Sequence, residues 1–136
     1  MRRFSISMPD RLVRKLDEML KERGYANRSQ AVASLVRDRL VEQAAESGRG
    51  EIAGTITLVY DHHKANLQSL LTAIQHDHHE QIVSTVHVHL DHDNCLEVLV
   101  VRGAAAKVRR ISDRLISAKG IKHGRLTVTT TGRDLG

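Results

Sequence analysis

Nine histidines and one cysteine in a chain of 136 residues put metal coordination first among the chemistries to consider. Cys95 stands alone, so an intrachain disulfide is excluded and its thiol is core filler, nucleophile or metal ligand. His87 and His89 are two apart in a strand-like stretch, 82–90, and Cys95 opens the next, 95–101; Asp91-His92-Asp93-Asn94 between them has the composition of a tight hairpin. The even positions Val86, Val88, Leu90, Leu96, Val98 and Val100 are apolar and are expected to face two helices. The odd positions His87, His89, Cys95 and Glu97 are then expected to share the opposite face. An odd-length turn that opposes His89 to Cys95 meets this condition and lets two imidazoles and a thiolate converge on one ion. His76, His78 and His79 lie just upstream, where one of them can supply a fourth ligand. Mixed imidazole and thiolate donors suit a late first-row divalent ion, tetrahedral for zinc, square planar for nickel or copper(II). His63, His78 and His92 read as solvated surface.

The elements around this hairpin follow from periodicity. Residues 51–60 are strand-like, with Ile52, Thr55, Ile56, Thr57, Leu58, Val59 and Tyr60. Leu67, Leu70, Leu71 and Ile74 fall at i, i+3, i+4 and i+7 and predict an amphipathic helix that runs to the histidine cluster. After the hairpin, Val108, Ile111, Leu115 and Ile116 mark a second helix, ended by Lys119-Gly120, and 121–130 closes as a strand. The order is βαββαβ, the ferredoxin-like split arrangement of an α+β fold.

Upstream, Arg3 to Met8 alternate polar and apolar, as a strand with one buried face does. Asp10 is expected to cap a helix with apolar positions Leu12, Val13, Leu16, Met19 and Leu20, stopped by Gly24. Asn27-Arg28-Ser29-Gln30 has capping-box spacing and opens a second helix through Ala31, Val32, Leu35, Val36 and Leu40. A lone short strand and two helices cannot close a core, so the strand must pair with that of another chain. The resulting two-stranded ribbon fits the DNA major groove, with Phe4, Ile6 and Met8 inward and Arg3, Ser5 and Ser7 toward base edges. Ser47-Gly48-Arg49-Gly50 divides the halves: 1–46 as the DNA-binding domain, 47–50 as linker, 51–136 as the metal-binding domain.

Composition agrees with small modules. Hydrophobic residues make up 40% but aromatics only 2%, so the core must be aliphatic, and the formal charge of +5 with a pI near 9.8 suits a polyanion such as nucleic acid. No apolar run approaches the roughly eighteen residues of a membrane span, and the start, MRRFSISMPD, lacks the apolar core of a secretory signal. A cytoplasmic protein without a membrane partner is expected.

The short alternating strand, the helix, the turn at Gly24 and Asn27-Arg28-Ser29 resemble the ribbon-helix-helix DNA-binding family. That resemblance implies that Arg3, Ser5 and Ser7 read bases, and that Asn27, Arg28 and Ser29 hold a phosphate at a helix N-terminus. With Tyr60-x-His62, Gln75-His76, Thr85-Val86-His87-Val88-His89, Cys95-Leu96-Glu97 and Gly120-x-x-His123-Gly124, nearly the whole chain resembles the nickel-responsive regulator family NikR. The resemblance implies one Ni²⁺ per chain, square planar, on His87, His89 and Cys95 with His76 of a neighbouring chain. It also implies a homotetramer with a DNA-binding dimer at each end and a palindromic operator. Tyr60 and Glu97 match positions beside the metal, and His62 and His79 are candidates for further, weaker ions. Gln30 and Ser34 depart from the acidic residues with which family members hold a second, potassium-like cation. Lys64 and Lys119 are placed to touch DNA backbone.

The resulting expectation is a repressor of nickel uptake genes. The alternatives are a sensor of copper or cobalt, a ribbon-helix-helix antitoxin, an amino-acid-binding regulatory domain, and an enzyme with Cys95 as nucleophile. No phosphate loop or paired carboxylates support the last of these.

Overall fold

The computed structural model describes residues 1–133, with the side chain of Ala65 excepted. The chain divides into two compact units, Met1–Leu40 and the remainder from Val41 onward. In the first unit, α1 (Asp10–Arg23) places Asp10 in its first turn and Lys21 and Arg23 in its last, so both ends complement the helix dipole. Pro9, rather than Asp10 as its residue type suggested, is the N-cap: its carbonyl accepts the N–H groups of Leu12 and Val13, and no side chain caps the helix. Gly24 at φ 73° ends it in the left-handed conformation that other residues resist.

α2 (Arg28–Ser47) begins as its spacing predicts. The Gln30 N–H donates to Asn27 Oδ1 at 2.9 Å, and the Ala26 N–H donates to Gln30 Oε1 at 2.6 Å. Residues 1–9 form no ladder in the single chain. The expected strand requires a second backbone to pair with, and Phe4 and Ile6 remain 75% and 55% exposed. Phe4, Ile6, Met8, Val13, Leu16 and Val32 line an open cleft.

The second unit has the element order read from the sequence: β1 (Glu51–Asp61), α3 (Ala65–Asp77), β2 (Ile82–His89), β3 (Asn94–Ala104), α4 (Ala105–Ile116) and β4 (Ile121–Thr129). The strands form one antiparallel sheet in the order β2-β3-β1-β4. Leu67, Leu71 and Ile74 of α3 and Ala105, Val108, Ile111 and Leu115 of α4 bury against Ile52, Ile56, Leu58 and Tyr60 of β1. Leu70, read as part of the α3 stripe, is 42% exposed.

The face assignment of the hairpin is the opposite of the one expected. Cys95, Leu99 and Val101 lie beneath the helices with essentially no exposure, and Glu97 is buried beside them. Val86, Val88 and Val100 are instead 52%, 45% and 39% exposed on the helix-free face. β3 is apolar on both faces, so its own alternation does not choose between them. Register with β1 does: Cys95 lies opposite Tyr60, Glu97 opposite Leu58 and Leu99 opposite Ile56, and those β1 residues are the buried set.

Close packing of β1 on β4 depends on Gly54, where an added Cβ would sit 2.3 Å from the Thr127 carbonyl oxygen. Gly54→Ala is expected to destabilise the second unit by about 1–3 kcal/mol, as overpacking does. Ala53→Ser, one residue away on the open face, is expected to change little. Equal unfolding midpoints in denaturant for the two variants would contradict this packing.

Candidate metal centre

Strand register builds the centre. In the β2–β3 ladder His87 lies opposite Glu97 and His89 opposite Cys95, the pairing required for convergence. Cys95 also faces Tyr60 across the other ladder, so His89, Cys95 and Tyr60 form one row over three strands. The hairpin loop fixes that register: Asp91 Oδ1 accepts the N–H groups of Asp93 at 2.9 Å and Asn94 at 2.7 Å, and the Leu90 N–H donates to the Asn94 carbonyl. These bonds to the Asn94 backbone and side chain hold the Asp91 carboxyl below its ordinary range.

The Cys95 Sγ lies 3.9 Å from His89 Nδ1. Donor atoms of His62, His89 and Cys95 all fall within 4.8 Å of one another. The His62 ring meets His89 edge-on at 4.9 Å between centroids, and His62 Nδ1 is buried with no hydrogen-bond partner. The His87 ring stacks on His89 at 5.4 Å and lies 6.1 Å from Tyr60, but among the described residues it is in no group of three converging donors. The thiol is buried while both hairpin imidazoles are exposed. This contrast has a simple origin: the helices cover β3 and β1, and β2 is the sheet edge.

A hydrogen-bonded chain supports the centre from behind. Tyr60 donates its hydroxyl to Glu97 Oε1 at 3.4 Å, Gln75 Nε2 donates to Glu97 Oε2 at 3.2 Å, and Thr85 Oγ1 donates to Gln75 Oε1 at 3.1 Å. β1, β3, α3 and β2 are thereby tied together one residue before His76. Burial pushes the Glu97 carboxyl up against the opposing influence of His87 and of the two donors. The Tyr60 phenol is also pushed up, first by burial and then by the Glu97 charge. The Cys95 thiol is raised by burial, reinforced by Asp61, Glu97 and Asp91. Thr85 and Gln75 stand in the sequence motifs, but their roles are not legible there; Thr85 lies two residues before His87, on the same strand face, which was the available signal.

His76 is not brought to this group. It is exposed on α3, with its ring 6.5 Å from that of His79, and the His79 Nδ1 lies 3.2 Å from the His76 carbonyl. His79 is in none of the donor groups found among the described residues. His63 and His92, read as plain surface, do form a donor group with Asp93.

In the first unit, Arg3, Ser5 and Ser7 are exposed in the segment before α1. Asn27 and Ser29 flank Arg28 at the start of α2, and the Arg28 guanidinium makes two 2.8 Å bonds to the Asp17 carboxylate. Those bonds hold Asp17 below, and Arg28 above, their ordinary ranges. Gln30 is engaged in the cap, and Ser34 Oγ accepts the Tyr25 hydroxyl at 3.1 Å. Both positions where the family resemblance departs are therefore occupied by local hydrogen bonds.

A buried thiol with a raised pKa is mostly protonated at neutral pH and slow to react. Metal-free protein is expected to react with Ellman's reagent at pH 7 at least about tenfold more slowly than free cysteine. A rate equal to that of free cysteine would contradict the burial of Cys95.

Residues 53–129 match the family described as the NikR C-terminal nickel binding domain, and residues 2–46 match the ribbon-helix-helix protein, CopG family. A protein of Solibacter usitatus (strain Ellin6076) is 56% identical over 98% of this chain and 96% of its own length. Proteins of Nitratidesulfovibrio vulgaris (strain DSM 19637 / Miyazaki F) and Thermococcus onnurineus (strain NA1) are 55% and 51% identical over the same shares. All three carry the provisional name nickel-responsive regulator. With both modules matched and identity above one half across nearly its full length, this chain belongs to the NikR family of ribbon-helix-helix regulators.

Proposed function

We propose that this protein is a nickel-dependent transcriptional regulator, acting in the cytoplasm as a homotetramer that represses nickel uptake genes when loaded. It is a DNA-binding regulator and not an enzyme. The observation that carries the metal assignment is the opposition of His89 to Cys95, with the thiol sulfur 3.9 Å from an imidazole nitrogen. Thiolate and imidazole donors suit a late first-row divalent ion such as Ni²⁺, and the buried His62 nitrogen without a partner, within 4.8 Å of donors on His89 and Cys95, supports the same reading. In this reading His87, His89 and Cys95 of one chain and His76 of a neighbour hold one Ni²⁺ per chain. Tyr60 and Glu97 orient the hairpin from behind, and His62 and His79 are reserves for weaker binding.

Two features support assembly. The helix-free sheet face presents Val86, Val88, Val98 and Val100, and the cleft around Phe4 and Ile6 is open. Apolar surface of this kind in a regulator calls for further copies of the chain. The valine face then serves the tetramer of C-terminal domains, and the Phe4 cleft serves the DNA-binding dimer. Residues 47–50, with Gly48 and Gly50 in left-handed conformations, serve as the linker between domains 1–46 and 51–136.

Chains carrying His76→Ala or His87→Ala are expected to lose tight nickel binding and thiolate-to-metal absorption. Assembling the two variants together should restore part of both, because some sites then receive all four ligands. No recovery in mixtures shown by native mass spectrometry to be hetero-oligomers would contradict a ligand shared between chains.

For DNA, the paired Arg3, Ser5 and Ser7 read base edges of a palindromic operator, and Asn27, Arg28 and Ser29 position the phosphate. The Arg28–Asp17 pair is exposed on both sides and readily exchanged for a phosphate. Arg3→Ala is expected to cost about 1–3 kcal/mol of discrimination between operator and random DNA, with nickel binding intact. Arg28→Ala should weaken both DNAs alike and lower the salt dependence of binding. Equal loss on both DNAs for Arg3→Ala would remove the ribbon as reader.

A further inference from the structure

A second convergence of donors lies beside the thiolate centre and shares no residue with its proposed ligands. His63 sits in the turn between β1 and α3, and His92 and Asp93 sit in the β2–β3 loop. Donor atoms of the three lie within 4.8 Å of one another, all on exposed side chains. His63 Nε2 is 3.4 Å from Asp93 Oδ1, and the rings of His63 and His92 are 5.3 Å apart between centroids.

The backbone beneath these side chains is fixed by several independent bonds. The His62 N–H donates to the Asp93 carbonyl at 3.0 Å and joins the two loops directly. The His63 N–H donates to Asp61 Oδ1 at 2.9 Å, which keeps that carboxyl below its ordinary range. Asp91 gathers the N–H groups of Asp93 and Asn94, and Lys122 Nζ donates to Asn94 Oδ1 at 2.6 Å. Little backbone ordering is left to oppose ion binding; what remains is the rotation of exposed side chains.

Two donors each about 2.1 Å from a tetrahedral ion lie about 3.4 Å apart, which is the His63–Asp93 separation. A donor nitrogen of His92 lies within 4.8 Å of both, on an exposed side chain free to turn toward a shared ion. Two imidazoles and one carboxylate favour zinc, nickel, cobalt or copper over calcium or magnesium, which prefer all-oxygen shells. We infer that His63, His92 and Asp93 form a second divalent transition-metal site, open to solvent, with water completing the coordination. It lacks a thiolate and is exposed, so it binds more weakly than the centre on Cys95. The His62 ring lies 4.1 Å from that of His63 and 4.9 Å from that of His89, so an ion held here is one imidazole away from the buried centre.

The test uses the full-length protein with its thiolate centre first filled with Ni²⁺, then titrated with Zn²⁺ by calorimetry while the thiolate-to-metal absorption is followed. The wild type is expected to take up a first further Zn²⁺ at one per chain, ahead of any weaker uptake, with the absorption unchanged. His63→Asn combined with His92→Asn should abolish that uptake, and Asp93→Asn should weaken it about tenfold, both with the absorption retained. Circular dichroism of the variants should match the wild type, since all three side chains are exposed. Absence of a further ion in the wild type, or its persistence in the double variant, would overturn the site. Loss of the Ni²⁺–thiolate absorption in the double variant would overturn its independence from the Cys95 centre. Failure of the nickel reading itself is distinguishable, because the wild type would then show no such absorption before any Zn²⁺ is added.

Discussion

Everything at the candidate metal centre depends on the register of the β2–β3 hairpin. In an antiparallel pair a slip of one residue turns every side chain of one strand to the other face. Such a slip would leave His87 and His89 on one side of the sheet and Cys95 and Glu97 on the other. The Asp91 carboxylate, which accepts two backbone N–H groups of the loop, acts against that slip, and the β1–β3 ladder sets which face receives the set. The convergence of the candidate ligands is a consequence of strand pairing, and no strained backbone is needed to produce it.

The same register creates the division between a buried sulfur and exposed imidazoles. α3 and α4 cover the middle of the sheet and leave the edge strand open, so one chain brings its thiol and imidazoles together without enclosing them. His76 remains apart on α3, yet the neighbouring Gln75 is bonded to Glu97 and Thr85. Glu97, opposite His87, thus joins the candidate ligand strand to the end of α3 within one chain.

The sequence made the element order of the second unit, the His89–Cys95 opposition and the α2 cap at Asn27 legible, because each rests on local period or spacing. The sheet face was not legible from the hairpin alone. Val98, Val100, Leu99 and Val101 are all apolar, and the choice between the two sets lies in pairing with Ile56, Leu58 and Tyr60, forty residues upstream. Glu97 reinforced the wrong choice, since a carboxylate reads as exposed until its donors Tyr60 and Gln75 are known. The Arg28–Asp17 pair and the His63–His92–Asp93 group were hidden for the same reason: each joins side chains that only folded loops and helices bring together.

In the proposed regulator, nickel and DNA must favour the same arrangement of the assembly, and linkage makes that effect reciprocal. The most direct measurement is a nickel titration of the full-length protein with and without a palindromic operator selected from random DNA by the nickel-loaded form. The account predicts that operator raises nickel affinity by the same factor by which nickel raises operator affinity. Identical nickel affinities in the two titrations would contradict it and leave the metal a structural role only.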